Sequence, residues 1–280
     1  MSEEIEIVVR RPRLDFEAAT RNWMPRNPAF GYQLAGGSLV LPYLEPYLIR
    51  IMRQAREALA ALRPAPRQLD RLLRDIDLFN GQEANHFKLH ARYNALLRER
   101  YEGIAAIEAE IERDFARMLR EESLAWNLGY SAGFETTGML TARLLFEAVP
   151  ESLIDADPVV ADLWGWHLAE EYEHRCVALE VFRALGGGPL ERVRMYFLQQ
   201  RHLMAFGERA ARLMREQDEH AGRLEITPDR ARESKRLERR MQHAGLRYLA
   251  GALLPWHDPR RHGPLPGAER HLAALELQSA

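Results

Sequence analysis

Residues 81–94 read GQEANHFKLHARYN, and residues 164–179 read WGWHLAEEYEHRCVAL. In each stretch a glutamate and two histidines are spaced at offsets of three and four residues, in mirrored order: Glu83, His86 and His90, then His167, Glu171 and His174. On an α-helix such offsets place side chains on one face, so each stretch presents a carboxylate and two imidazoles toward one point. This combination is typical of a metal site, and it predicts two metal-binding helices.

A glutamate within apolar sequence precedes each stretch. Glu45 lies in LVLPYLEPYLI, 38 residues before Glu83, and Glu135 lies in GYSAGFETTGML, 36 residues before Glu171. Because a buried carboxylate is costly without a counter-charge, both glutamates are candidate metal ligands. The similar spacing indicates two halves, each a helix with a lone glutamate followed by a helix with Glu-x-x-His.

The rest of the chain predicts an all-α protein. Helices are expected at about residues 42–63, 66–98, 104–121, 123–148, 158–185, 190–218 and 228–253. Residues 1–37 are expected to be irregular because prolines and the pair Gly36-Gly37 interrupt any pattern, with only IEIVV resembling a strand. Residues 38–186 would form a four-helix bundle, and residues 187–280 would add C-terminal helices that cover it within the same domain.

Composition excludes several functional classes. The formal charge is −2 and the arginines interleave with acidic residues, which indicates solvated helix faces with local ion pairs and no nucleic-acid surface. The single cysteine, Cys176, excludes an intramolecular disulfide framework and a cysteine-rich zinc module. The sequence has neither signal-peptide features nor a long apolar run, which predicts a cytoplasmic protein without a membrane span.

The two lone glutamates and the two Glu-x-x-His pairs predict a dinuclear metal site in the bundle. In such sites a glutamate from each of two helices joins a Glu-x-x-His pair from each of the other two. Four carboxylates neutralise two divalent cations, and the mixed donors favour iron, with manganese or a mixed iron–manganese pair as alternatives. The core ligand set is Glu45, Glu83, His86, Glu135, Glu171 and His174.

Three more side chains are candidates around this core. Glu170 competes with Glu171, but adjacent helical residues point about 100° apart, so only one of them faces the site. The spacing of the other pair selects Glu171 and leaves Glu170 beside the ligands. His90 and His167 either bind metal directly or orient a ligand through a hydrogen bond.

The order of these motifs resembles the ferritin-like di-iron carboxylate superfamily, which implies a four-helix bundle core. More closely, four segments look like the bacterial family called predicted metal-dependent hydrolases, and the likeness covers most of the chain. These segments are RNWMPRNPAF, QEANHFKLHARYN, LWGWHLAEEYEHRCVALEVF and LLPWHDP. The helix with His167, Glu171 and His174 is similar to the last metal-binding helix of the p-aminobenzoate N-oxygenase family, which implies that His167 is a seventh ligand.

These resemblances imply a di-iron oxygenase or oxidase that uses O2 to oxidise a small organic substrate by N-oxygenation, hydroxylation or desaturation. Turnover would need an external electron donor, because the chain shows no flavin or iron–sulfur motif. One alternative is a dinuclear hydrolase that uses a metal-bound hydroxide, and another is a non-enzymatic metal-binding bundle. The helices after residue 186 are expected to cover the bundle, shape its pocket or form a homodimer surface.

Overall fold

The computed structural model describes residues 6–65, 67–224 and 226–279, and within them the chain is all-α, as predicted. Residues 6–9 of the expected strand have irregular backbone, and Ile5 lies outside the described residues. The helices are α1 (Pro28–Ser38), α2 (Leu41–Ala61), α3 (Leu69–Arg100), α4 (Ile104–Glu121), α5 (Leu124–Arg143), α6 (Pro158–His174), α7 (Val177–Ala184), α8 (Pro189–His220), α9 (Pro228–Ala252) and α10 (Pro266–Ser279). A π-helical turn at Leu144–Ala148 directly extends α5.

Four of these helices enclose the centre of the molecule. α2 packs on α3 and α5, while α6 packs on α5 and α3, so the four helices form a closed ring around the interior. On α2, Leu44, Leu48, Ile51 and Ala55 recur at helical spacing and are fully buried. This apolar stripe explains why α2 lies in the core, since burying each leucine or isoleucine contributes about 1.5–3 kcal/mol.

The start of α6 follows from local chemistry. Asp157 precedes Pro158, and its carboxylate accepts hydrogen bonds from the backbone N–H groups of Val159 and Val160. An aspartate N-cap followed by proline is a strong helix start. The aspartate accepts hydrogen bonds from backbone N–H groups that would otherwise be unpaired, and the proline has no N–H to leave unpaired. The cap therefore determines where the helix that carries His167, Glu171 and His174 begins.

The C-terminal helices lie against this ring of four. α8 packs along α5 and α1, α10 packs on α6, and α9 contacts α5 and the π-helical turn. Near the end of α8, the buried carboxylate of Asp218 accepts hydrogen bonds from the hydroxyls of Tyr32 and Tyr101, at 2.7 and 2.6 Å. Helices from both ends of the chain are thereby joined. No helix in the described part of the chain has the length and apolar character needed to cross a membrane.

The expectation of an irregular segment up to residue 37 is wrong for residues 28–37, which belong to α1. The glycine pair does not interrupt this helix, and Gly36 allows close packing against another helix. A Cβ added to Gly36 would lie 2.3 Å from the carbonyl oxygen of Gly207 on α8, whereas one on Gly37 would meet nothing closer than Trp164 at 3.9 Å. Gly36 therefore allows α1 and α8 to cross at backbone contact.

The single helix expected at residues 158–185 is interrupted after His174. At the break, the Arg175 guanidinium donates hydrogen bonds to the carbonyl oxygens of Tyr172, Pro259 and His262. A distant segment of the chain thus supplies acceptors that hold the turn between α6 and α7. Helical periodicity could not reveal this break, because its cause lies about 85 residues away in sequence.

Candidate metal centre

The seven candidate ligands converge inside the ring formed by α2, α3, α5 and α6. Each of them is at most 2% exposed: Glu45, Glu83, His86, Glu135, His167, Glu171 and His174. Their donor atoms form two groups, each with all atoms within 4.8 Å of one another. The first group is Glu45, His86, His167 and Glu171, and the second is Glu83, Glu171 and His174.

Glu171 belongs to both groups, so its carboxylate lies between the two candidate metal positions. The Nε2 atom of His174 is 3.4 Å from carboxylate oxygens of both Glu83 and Glu135, and 3.5 Å from Glu171. Glu135 falls outside the two groups but borders the second through His174. On the other side, Nε2 of His167 lies 3.4 Å from Glu171.

The atoms that face this centre have no hydrogen-bond partner among the described residues. These atoms are both carboxylate oxygens of Glu45, Glu83, Glu135 and Glu171, together with Nδ1 of His86, Nδ1 of His167 and Nε2 of His174. Each unsatisfied buried polar group lowers the stability of the fold by about 1–3 kcal/mol, and native proteins contain few such groups. Bound divalent cations would satisfy them, so these residues fit a dinuclear metal site.

Glu170 holds His86 from the side away from the centre. Its Oε2 atom lies 3.1 Å from Nε2 of His86, while its Oε1 accepts a hydrogen bond from the backbone N–H of Arg10. A proton on Nε2 of His86 is therefore held by Glu170, which leaves the Nδ1 lone pair directed at the centre. The structure places Glu170 beside a candidate ligand and outside both donor groups.

Gln82 orients His174 in the same way, by a hydrogen bond to its outer ring nitrogen. Its amide nitrogen donates to the carbonyl oxygen of Val8 and to Glu173, so its amide oxygen faces Nδ1 of His174 at 2.8 Å. Nδ1 of His174 must then donate, and Nε2 carries the lone pair toward the carboxylates. Gln82 was not among the residues predicted from the sequence, although its position directly before Glu83 was a signal.

His90 lies beside this centre without contacting a candidate ligand through a hydrogen bond. The Ser38 hydroxyl has one proton, which it donates to Oδ1 of Asn94, so it accepts from Nδ1 of His90 at 2.8 Å. The Nε2 atom of His90 is left with a buried lone pair and no hydrogen-bond partner among the described residues. Its ring packs on those of Trp164 and His167, with centroids 4.9 and 4.8 Å away.

The electrostatics of the centre call for positive charge. Burial raises the pKa of Glu45, Glu83 and Glu135, and the negative charge of Glu171 adds to the effect on all three. Burial also opposes ionisation of Glu171, but His174 above all holds its pKa at about 2. Burial lowers the pKa of His167, which keeps it neutral and able to donate a lone pair. Without cations, several of these glutamates would take up protons.

A family model described as predicted metal-dependent hydrolase matches residues 8–263. The chain belongs to this family. The match confirms the closer of the resemblances drawn from the motifs, and it spans all seven candidate ligands. No curated protein and no solved structure matches the chain. A buried cluster of histidines and glutamates that could bind metal ions agrees with the metal dependence in the family's description.

Gly138 shapes the site of this family member, and the sequence analysis missed it. A Cβ at this position would lie 2.2 Å from Oε2 of Glu171 and 3.0 Å from its Cδ. Gly138 follows Glu135 by three residues and so lies on the same face of α5, which was the available signal. Its missing side chain provides the space that the Glu171 carboxylate occupies.

Aromatic rings close the centre from the sides. Trp166 packs edge-on against His86, and Phe79 packs in the same way against His174, each with ring centroids 4.7 Å apart. Trp166 is 1% exposed and Phe79 fully buried. These rings keep water from the histidines and restrict their rotation, as rigid aromatic packing does. The six other histidines lie outside both donor groups: His202, His220, His243, His257, His262 and His271.

Proposed function

We propose that this member of the family is a ferritin-like, non-haem di-iron enzyme that uses O2 to oxidise a small organic substrate. The observation that carries the proposal is the buried donor set, with eight carboxylate oxygens and three imidazole nitrogens that lack hydrogen-bond partners among the described residues. Four carboxylates balance the charge of two divalent ions, and mixed oxygen and nitrogen donors suit iron or manganese.

The residues divide naturally between two ions. Glu45, His86 and His167 would hold one ion, and Glu83, Glu135 and His174 would hold the other, with Glu171 shared between them. When bound, the irons would supply the redox chemistry with O2 that the side chains lack. The single cysteine cannot hold an iron–sulfur cluster, so an external donor would supply the electrons.

The protein's own part is to exclude water and to hold protons at defined atoms. Trp166 and Phe79 cover the histidines, while Glu170 and Gln82 hold the protons on the outer nitrogens of His86 and His174. A closed centre favours O2 as the reactant at the metals, because a diatomic molecule passes through a packed core more readily than an ester. N-oxygenation, hydroxylation and desaturation all fit this scheme.

A metal-dependent hydrolase is the second candidate, and the family's description favours it. In that case two non-redox ions would activate a water molecule toward an ester, amide or phosphoester. Such a reaction needs neither O2 nor a reductant, and it needs the substrate's carbonyl or phosphoryl group to reach the ions. The residues that hold the metals would be the same.

Metal loading under controlled O2 separates the two candidates. We expect the purified protein to bind about two irons per chain, and the anaerobically iron-loaded protein to consume O2 with a change in visible absorption. Protein loaded with zinc, which has no redox chemistry, should be inactive. If zinc-loaded protein hydrolysed p-nitrophenyl esters without O2 while iron-loaded protein did not consume O2, the oxidase proposal would be abandoned for the hydrolase.

The ligand assignment has its own test. We expect Glu83→Ala to lose most of the bound metal, whereas the matched variant Glu99→Ala should keep it, because Glu99 is exposed on the same helix. Metal per chain is measured by elemental analysis of both purified variants, with circular dichroism as a check on folding. Wild-type metal content in a folded Glu83→Ala variant would refute the site itself.

A further inference from the structure

A cleft of about 1140 Å³ lies between α9 and the end of α5 with its π-helical turn. Part of its lining is apolar, with Leu140 and Leu144 on one wall and Tyr248 and Ala244 on the other. The volume is slightly above the range of about 300–1,000 Å³ that is usual for small-molecule sites. We call this cavity the basic cleft.

Seven cationic side chains and one carboxylate, Glu147, line the basic cleft, in a chain whose formal charge is −2. α9 supplies six of the cations: Arg232, Lys235, Arg236, Arg239, Arg240 and Arg247. The seventh, Arg143, faces them from α5. The α9 cations are exposed, as expected for a solvated helix face, but they are concentrated along one cleft.

Several of these charges are unbalanced. Arg143 pairs with Glu147, Arg240 with Glu151 and Arg232 with Asp229. In the part of the chain that the structure describes, Lys235, Arg239 and Arg247 have no such partner. Like charges three or four residues apart on a helix repel each other and destabilise the helix. A bound polyanion would remove this repulsion.

α5 lies between the basic cleft and the candidate metal centre. Leu140 follows Glu135 by five residues, so its side chain points about 140° away from that of Glu135 around the helix. The Tyr248 hydroxyl donates to the carbonyl oxygen of Thr136 at 3.3 Å. The Arg143 guanidinium lies over the Tyr248 ring at 6.0 Å from its centroid. The apolar wall thus lies on the far side of α5 from Glu135.

We propose that the basic cleft binds an acyl or aryl thioester of coenzyme A, an apolar group on a carrier with several phosphates. This binding does not depend on the chemistry of the metal centre. The cations from Arg232 to Arg247 extend over about 22 Å of helix, which is too long a row for one carboxylate or phosphate. The apolar wall matches the acyl group.

Direct titration tests the binding. We expect decanoyl-coenzyme A to bind the purified metal-containing protein more tightly than either coenzyme A or decanoate alone, with an affinity that falls as salt is added. Replacing Lys235, Arg239 and Arg247 together by glutamate should weaken binding at least about a hundredfold. The matched control replaces Arg194, Arg201 and Arg212, which are exposed on α8 and do not line the cleft, and it should bind as the wild type does.

Other outcomes would overturn the proposal. These are absent binding by the wild type, equal affinity for coenzyme A and its thioester, and equal losses in both triple variants when circular dichroism shows them folded. Leu246 is 71% exposed beside Arg247, so an anionic membrane is the competing occupant. Binding to phosphatidylserine vesicles, lost in the cleft variant, without binding of decanoyl-coenzyme A would assign the surface to a membrane.

The two proposals fail separately. The proposed function fails on metal content and O2 consumption, whereas this inference fails on titration with decanoyl-coenzyme A, which can also be done after chelation.

Discussion

The absence of a Cβ atom at Gly138 determines where the carboxylate of Glu171 can lie. The position that a Cβ would take there is already occupied by the carboxylate of Glu171. We therefore expect Gly138→Ala to displace this carboxylate and to lower the iron content of the purified protein by at least about half, through misplacement of a shared ligand. Elemental analysis measures the effect.

The control for this variant is Gly245→Ala on α9. A Cβ at Gly245 would meet nothing within 4 Å. Alanine is favoured over glycine within a helix by about 1 kcal/mol, so the control should keep its metal and gain slightly in stability. Full metal content in Gly138→Ala would mean that Glu171 does not bind metal from its present position.

Gln82 acts on the centre through His174. Its amide oxygen accepts from Nδ1 of His174 and so directs Nε2 at the carboxylates. We expect Gln82→Leu to weaken metal affinity about 10–100-fold, as removal of such orienting partners does. Competition with a chromophoric chelator measures the affinity, and Gln54→Leu, at an exposed position on α2, is the control. Equal affinities in the two variants would show that the hydrogen bond does not orient the ligand.

At the scale of elements, the crossing of α1 and α8 joins the two ends of the chain. The carbonyl oxygen of Gly207 lies where a Cβ of Gly36 would be, and backbone atoms cannot move aside as a side-chain end can. We expect Gly36→Ala to separate the helices and to lower the free energy of unfolding by about 1–3 kcal/mol, the usual cost of overpacking.

The neighbouring glycine is the matched control. Gly37→Ala would make only an ordinary contact with Trp164 at 3.9 Å, so its stability should equal or exceed that of the wild type. Urea denaturation of both variants measures the difference. If the two variants unfolded at the same urea concentration, the α1–α8 crossing would not be the tight contact that the structure indicates.

For the whole molecule, the ionisation of the metal centre couples metal binding to stability. The pKa values of Glu45, Glu83 and Glu135 are raised above the ordinary value of 4.5. A raised folded-state pKa contributes stability below the unfolded value, and this stability is lost as the pH rises through the folded value. The metal-free protein should therefore become less stable as the pH rises, while bound metal compensates the charge.

We expect the difference in melting temperature between metal-loaded and chelated protein to widen as the pH rises above 4.5 through the raised pKa values of these three glutamates. Burial lowers the pKa of His90 and His167, so both histidines stay neutral as the pH rises. Metal at about a thousand times its Kd should stabilise the fold by about 4 kcal/mol. Thermal unfolding with and without chelator measures this stabilisation, and the Glu83→Ala variant should lose most of the difference in melting temperature between metal-loaded and chelated protein. A difference that does not vary with pH would contradict the coupling.

Residue types and helical spacing were enough to predict the all-α fold and the candidate ligand set. Helix geometry fixes the relative direction of side chains within two turns, so Glu83 with His86, and His167 with Glu171 and His174, had to share a face. An isolated glutamate within apolar sequence, such as Glu45, indicates a buried charge that needs compensation. These inferences depend only on residues that lie near one another in the sequence, so they need no knowledge of tertiary contacts.

Only the tertiary structure decided features that depend on which elements face each other. It showed that Glu170 holds His86, and it placed Gly36 in a helix crossing where the sequence had predicted irregular chain. It also brought the cations of α9 opposite Arg143 and an apolar wall. Periodicity gives the direction of a side chain within its own helix, but contacts across helices arise from packing between segments far apart in sequence.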